Sequence, residues 1–166
     1  MIGHPRPDPV GPGQESVWDY PRPAICEPTD RRIVIRHCGV TLADTTAAWR
    51  TLETSHPPTY YLPQTDIAMA LLCPNPRRSL CEWKGQARYW DVLIEGKILS
   101  AVAWSYPDPT SSFDGIRDHL AFYPEPFDEA LVDGEQVVPQ PGDFYGGWIS
   151  KYEAGPFKGV PGSRFW

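Results

Sequence analysis

No C-x-x-C pair occurs among the four cysteines, Cys26, Cys38, Cys73 and Cys81, and the four histidines, His4, His37, His56 and His119, are scattered. Structural zinc sites draw on two close cysteine pairs, or on one pair with spaced histidines, so the spacing predicts no metal centre. No apolar run approaches the ~20 residues of a membrane-spanning helix. The N-terminal MIGHPRPDPV lacks the apolar stretch of a secretory leader. The expectation is a cytoplasmic protein, with no membrane association, whose free thiols pack as small apolar groups. Basic residues are sparse: 15 Lys and Arg stand against 21 Asp and Glu, a net charge of −6. The basic clusters are bare pairs, Arg31-Arg32 and Arg77-Arg78. Phosphate neutralisation supplies most of the affinity for nucleic acid, so this balance argues against a nucleic-acid partner. There is no Gly-rich phosphate loop with a lysine and no carboxylate pair at two-metal spacing. No cofactor is expected.

Proline and aromatic residues are abundant instead. The chain of 166 residues carries 20 prolines, 7 Trp and 8 Tyr. A length of this order fits one domain that buries roughly 68–70% of its unfolded surface. Prolines remove backbone donors and end helices and central strands, so much of the chain must be turns and ordered loops. The rings argue against disorder. Residues 1–14 read as a flexible arm, and the ordered domain is expected over 15–166, with an aromatic, Gly-rich C-terminal tail from Pro139.

Two windows free of proline, 29–56 and 77–106, are where regular strands can run. Arg32–Arg36 is a β-branched run, Gly39 marks a turn, and Val40–Leu42 resumes the strand. Thr45–Glu53 fits a helix by its alanines and a strand by its alternation. Thr59–Leu62 reads as extended between prolines, and Thr65-Asp66 is placed to cap one short helix, Ile67–Leu72. Ser79–Trp83, Ala87–Glu95 and Ile98–Trp104 read as strands, with Glu95-Gly96-Lys97 as a tight turn. Leu120–Tyr123 and Ala130–Val132 follow, the latter running into an Asp133-Gly134 hairpin signal.

Five stretches together carry a family likeness: ESVWDYPRP (15–23), ETSHPPTYYLP (53–63), CEWKGQARYW (81–90), AWSYPDP (103–109) and AFYP (121–124). In this order they resemble the bacterial family called domain of unknown function 427. The later PGDFYGGWI (141–149) and GPFKGVPGS (155–163) are similar to its longer members. The resemblance implies a mainly β fold of the β-tent, Mss4-like class: two antiparallel sheets meeting at an angle, a pocket between or beside them, few short helices and long Pro/Gly-rich loops. That class also holds the thalidomide-binding domain of cereblon and the methionine-R-sulfoxide reductases. Those relatives hold zinc on two C-x-x-C pairs, which this sequence lacks, so the resemblance implies no zinc here.

Four groups of residues carry chemistry. In Glu53–Tyr61 a carboxylate, an imidazole and two phenols fall on a proline-stiffened loop. His56 has the ordinary pKa of a general base, while a rigid structural turn explains the loop equally well. Cys81 precedes Lys84, a cation that would stabilise a thiolate nucleophile; a buried, inert strand cysteine is the plainer account. Trp18, Tyr20, Trp83, Tyr89, Trp104, Tyr106, Tyr145 and Trp148 form either a large-ring core or the wall of a cage for a cation or a flat ligand. Arg22 can bind a ligand carboxylate or pair with Asp19 or Glu53. The reading that joins them is a small-molecule-binding domain with an aromatic-lined pocket. Trp83, Trp104, Tyr106, Tyr60 and Trp148 are its expected walls, and Glu53, His56 and Lys84 its polar partners. The rivals are an enzyme using a His56/Glu53 acid–base pair or the Cys81 thiol, and a protein-interaction module. The oligomeric state is left open, a homodimer included.

Overall fold

The computed structural model describes residues 4–166; the first three residues of the expected arm lie outside it. In chain order the strands are β1 (Glu15–Ser16), β2 (Ile25–Pro28), β3 (Ile33–His37), β4 (Val40–Thr45), β5 (Trp49–Leu52) and β6 (Thr59–Tyr61). They continue with β7 (Leu72–Cys81), β8 (Gly85–Ile94), β9 (Lys97–Ser105), β10 (Leu120–Phe122), β11 (Glu129–Val132), β12 (Glu135–Gln136), β13 (Val138–Pro139), β14 (Trp148–Ile149) and β15 (Glu153–Ala154). Helical structure among the described residues is confined to short 3₁₀ turns.

Local sequence explains the hairpins. Cys38-Gly39, Glu95-Gly96 and Asp133-Gly134 each place two successive residues at positive φ, 50° and 75°, 53° and 71°, 48° and 83°. This is the conformation whose twist matches that of the flanking strands, and glycine supplies its second position without strain. The turns join β3 to β4, β8 to β9 and β11 to β12, all antiparallel.

One sheet has the order β12-β11-β3-β4. The second runs β10-β9-β8-β7, and a third runs β2-β5-β6. The last two are continuous through Leu62 and Leu120, which exchange backbone hydrogen bonds of 2.8 and 2.9 Å. This is the expected mainly β, tent-like fold of antiparallel sheets. The main core lies between the β3-bearing sheet and one face of the long sheet. It collects Ile33, Ile35, Leu42, Val92, Phe122 and Trp148, all essentially inaccessible. Burying each such side chain contributes ~1.5–3 kcal/mol.

A second apolar cluster, including Tyr61, Tyr89, Trp104 and Phe113, lies on the opposite face of the long sheet. Tyr60 and Tyr61 show the split: successive side chains of β6 point to opposite faces, so Tyr60 enters the main core and Tyr61 the second cluster.

Two local expectations need correction. No helix spans Ile67–Leu72. Gln64–Asp66 and Met69–Leu71 are separate 3₁₀ turns, and Asp66 accepts a hydrogen bond from the Thr45 hydroxyl at 2.7 Å instead of capping a helix. Strand β7 begins at Leu72, before the proline-free window, and runs through Pro74 and Pro76. It lies at the edge of its sheet and bulges between Asn75 and Arg78. Edges and bulges are where strands tolerate proline. Asn75 holds the bulge, accepting from Arg77 N–H at 2.8 Å and donating to Asp91 at 2.8 Å. Thr45–Glu53 resolves as strand, because β5 finds partners on both sides in β2 and β6.

The chain ends are tied together. Strand β1 pairs in parallel with β15, Asp8 N–H donates to Gly155 O at 2.8 Å, and Trp18 Nε1–H donates to Pro156 O at 2.9 Å. Under them lies an ionic network. Glu153, whose side chain is fully buried, accepts from Arg31 at 2.9 Å and from the Ser150 backbone and hydroxyl at 3.0 and 2.8 Å. Glu15 accepts from Arg50 at 2.5 Å and from the Tyr20 hydroxyl at 2.7 Å.

Candidate functional site

A cavity of about 440 Å³ opens on the second-cluster face of the long sheet. Its floor is the ring set Tyr61, Tyr89 and Trp104 from β6, β8 and β9, with Tyr123 just after β10. One wall is the loop from Glu53 to Thr59; the facing wall is β7, with Arg77, Ser79 and Leu80, and the turn Glu82–Lys84. The C-terminal segment closes the third side with Gln140, Phe144–Gly146 and Lys158.

Each wall is held locally. The Glu82–Lys84 turn is pinned by Thr110, whose hydroxyl donates to Trp83 O at 2.5 Å and whose N–H donates to Lys84 O at 3.1 Å. The Glu53–Pro58 loop is fixed at Ser55, which takes a φ of 71°. Ser55 N–H donates to Val17 O at 3.0 Å, and Lys158 N–H donates to Ser55 O at 2.9 Å. Positive φ on a non-glycine residue costs of order 1–3 kcal/mol and persists where surrounding contacts over-determine it. The glycines of Tyr145-Gly146-Gly147 permit a close approach of backbone to side chains: a Cβ on Gly146 would overlap the Trp104 ring, and one on Gly147 would overlap Gln140 and Pro57.

The polar centre is His56 with Glu53 and Gln140. His56 Nε2 lies 3.4 Å from Glu53 Oε2, and Gln140 Nε2 lies 3.0 Å from His56 Nδ1. The backbone orients the Gln140 amide: its Oε1 accepts from Gly147 N–H at 3.1 Å and its Nε2 donates to Lys158 O at 2.9 Å. An amide oriented in this way presents an N–H to Nδ1, so Nδ1 holds the lone pair and Nε2 carries the proton. That proton faces Glu53. Burial, with Lys158, Lys84 and Arg22 nearby, pushes the imidazole down to about 4, so His56 is neutral at pH 7. Burial also raises the Glu53 carboxyl above its ordinary range, with Lys84, Arg22 and Lys158 pulling it part of the way back. The lone pair expected to make His56 a base is therefore occupied by Gln140. Glu53, with its carboxyl raised and its orientation set by the Nε2–H, is the group able to exchange a proton with an occupant.

The cavity brings together Glu53, His56, Cys81, Trp83, Lys84 and Trp104 of the expected residues. It does not include Tyr60, Tyr106 or Trp148. Tyr60 is in the main core, its hydroxyl accepting from Arg31 at 2.8 Å. Trp148 packs edge-on against Tyr60 with centroids 5.7 Å apart and donates to Phe122 O at 2.9 Å. Tyr106 is buried beside Tyr61. Cys81 is half-buried, its Sγ 4.0 Å from Lys84 Nζ.

The model of the family described as a domain of unknown function (DUF427) matches residues 25–133. The chain belongs to this family. None of the curated proteins matches it. In this DUF427 chain the matched segment supplies the floor and two walls, whereas Gln140, Tyr145 and Lys158 come from beyond it. Sequence reasoning missed Arg77, Tyr123, Gln140 and Lys158. The alternation of β6 was a usable signal for preferring Tyr61 to Tyr60 or the reverse, though not for deciding which face holds the cavity. Gln140, in a Pro-Gln-Pro-Gly turn, carried none. No helix among the described residues is long and apolar enough to cross a membrane.

Proposed function

We propose that the cavity binds a small anionic molecule with a flat, ring-bearing part. The observation that carries this is a set of three cations, Arg77, Lys84 and Lys158, lining one cavity and outside every side-chain ion pair among the described residues; Glu53 and Glu82 line it too, and Lys158 Nζ donates to Trp166 O at 3.3 Å. Arginines elsewhere in this acidic chain, such as Arg31, Arg32 and Arg50, are paired. Cations left facing a partly desolvated space favour an anion there. Arg77 stacks over Tyr89 with its guanidinium carbon 4.6 Å from the ring centre, which leaves its N–H edge for an acceptor. Trp104 and Tyr123, with centroids 4.6 Å apart, and Tyr145 beside His56 supply flat apolar surface. The three cations outnumber the two carboxylates Glu53 and Glu82 in the lining, which disfavours a cationic guest.

Thermal unfolding with phenyl phosphate, 4-hydroxybenzoate and benzyltrimethylammonium tests this. The two anions should stabilise the protein and the cation should not. Lys84→Gln should weaken anion binding about tenfold or more, since a hydrogen bond to a charged group contributes ~1.5–3 kcal/mol. Trp104→Ala is the poorer probe, because Trp104 is also buried core. Stabilisation by the cation alone would overturn the proposal.

A second reading, acid–base catalysis on the bound anion, is favoured by the raised carboxyl of Glu53 beside the His56 Nε2–H. Glu53→Gln should then abolish turnover while leaving anion binding within a few-fold.

A further inference from the structure

We propose that His37, Cys38 and Asp128, none of which lines the cavity, form a divalent-metal site of the zinc class. His37 ends β3, and Cys38 is the first residue of the β3–β4 hairpin turn, at a φ of 50°. Asp128 lies in the segment leading into β11. One donor atom from each of the three side chains lies within 4.8 Å of the others.

The two segments are already clamped. Cys38 N–H donates to Asp128 Oδ2 at 2.8 Å, and Asp128 N–H donates to His37 Nδ1 at 3.2 Å. Phe127 packs edge-on against the His37 ring, with centroids 5.9 Å apart. The hydrogen bond from Asp128 N–H requires the lone pair to be on Nδ1. That nitrogen also lies 3.6 Å from Asp128 Oδ1. A tetrahedral zinc with bonds of ~2.0–2.1 Å to nitrogen and oxygen would hold those two ligands ~3.4 Å apart. The observed separation needs little change, and ligation through Nδ1 would exchange its hydrogen bond from Asp128 N–H for the bond to the ion.

The donor chemistry is consistent with this. Thiolate, imidazole and carboxylate together suit a borderline ion and not Mg²⁺ or Ca²⁺, which take oxygen ligands. Cys38 is exposed, so an ion can reach it, and binding would displace the thiol proton to solvent. Thiolate and carboxylate neutralise the ion, and the fourth position is left to water. The sequence predicts no metal because its cysteines are unpaired; the donors come from His37-Cys38 and a residue 90 positions further on, which only the fold brings together.

The test is titration of the chelator-treated protein with Co²⁺, followed by competition with Zn²⁺ in calorimetry. One equivalent of Co²⁺ should give a thiolate-to-metal charge-transfer band that Zn²⁺ abolishes. Cys38→Ser should lose the band. Asp128→Asn, which keeps the thiolate, should retain the band while weakening Zn²⁺ binding about tenfold or more, the order already seen when only a residue supporting a metal ligand is altered. Cys73→Ser should change nothing. Circular dichroism would confirm that each variant is folded. Absence of stoichiometric binding, or a band that survives Cys38→Ser, would overturn the proposal.

Discussion

Protonating His56 should be hard, and the fold should weaken as the medium forces it. The side chain is about 13% exposed and its ordinary pKa of 6.5 falls to about 4. The neutral form is the one the fold holds. Above pH 6.5 neither folded nor unfolded chain is protonated here, so the contribution to stability is complete. As the pH falls from 6.5 towards 4, the unfolded chain takes up a proton that the folded chain refuses, and stability is lost across that window. Linkage over these two values gives a loss of about 2 kcal/mol at pH 5 relative to pH 7.5. Glu53 acts in the opposite sense: its raised carboxyl takes up a proton in the folded state first, so acidification stabilises through that group. The His56 contribution is therefore read in a Glu53→Gln background, by urea unfolding at pH 7.5 and 5 with and without His56→Gln. The pair carrying His56 should lose about 2 kcal/mol more. Carbon-detected titration of the imidazole, assigned by its disappearance in His56→Gln, gives the midpoint directly. A midpoint near 6.5, or equal pH sensitivity with and without His56, would refute the burial argument.

Three further outcomes follow from the packing. Glu153→Ala strands the two Ser150 donors and leaves Arg31 only the Tyr60 hydroxyl and Glu15 beneath the chain ends, and breaking such a buried pair costs about 3–5 kcal/mol. The melting temperature should fall by roughly 6–20 °C, and a loss under about 1 kcal/mol would mean the network is solvated. Gly146→Ala drives a methyl group into the Trp104 ring and should cost about 1–3 kcal/mol in urea unfolding, with anion binding lost as the C-terminal wall moves. Unchanged binding would show that this wall is not part of the site. Iodoacetamide labelling read by mass spectrometry should modify exposed Cys38 and Cys73 before half-buried Cys26 and Cys81, with Cys26 slowed further because burial raises its thiol. Fastest labelling at Cys81 would instead revive a nucleophilic role for it.

Much of the fold was legible because its signals are local. The three Gly-containing turns each demand left-handed backbone, and strands on either side of them follow from β-branched runs and alternation. The failures share one cause. Pro74 and Pro76 argue against a strand only if it is central, and edge position is a property of the sheet, not of the segment. Ile67–Leu72 has helical composition, but Ile67 bridges Ala43 and Ala68 N–H donates to Leu42 O, so pairing with β4 overrides propensity.

The site was half legible, and its division is informative. Residues within one stretch, such as Glu53 with His56 and Cys81 with Lys84, announce themselves by spacing. Those joined across the fold do not: Gln140 reaches back 84 positions to His56. Yet Gln140 decides the chemistry. Without it the imidazole, still held neutral by burial, is free to take up either tautomer; with it, the Nδ1 lone pair is occupied and the Nε2 proton faces Glu53. A glutamine whose two amide ends are both satisfied by backbone is a rigid reporter of tautomer, so replacing it should change the character of the site without touching any ring or charge in the cavity. Gln140→Leu removes the donor to Nδ1 and frees the imidazole to take up either tautomer. The nitrogen chemical shifts of His56 should then move from the Nε2–H pattern towards a mixture. If they do not move, the Glu53 carboxylate alone sets the proton on Nε2, and the C-terminal segment closes the cavity without controlling its chemistry.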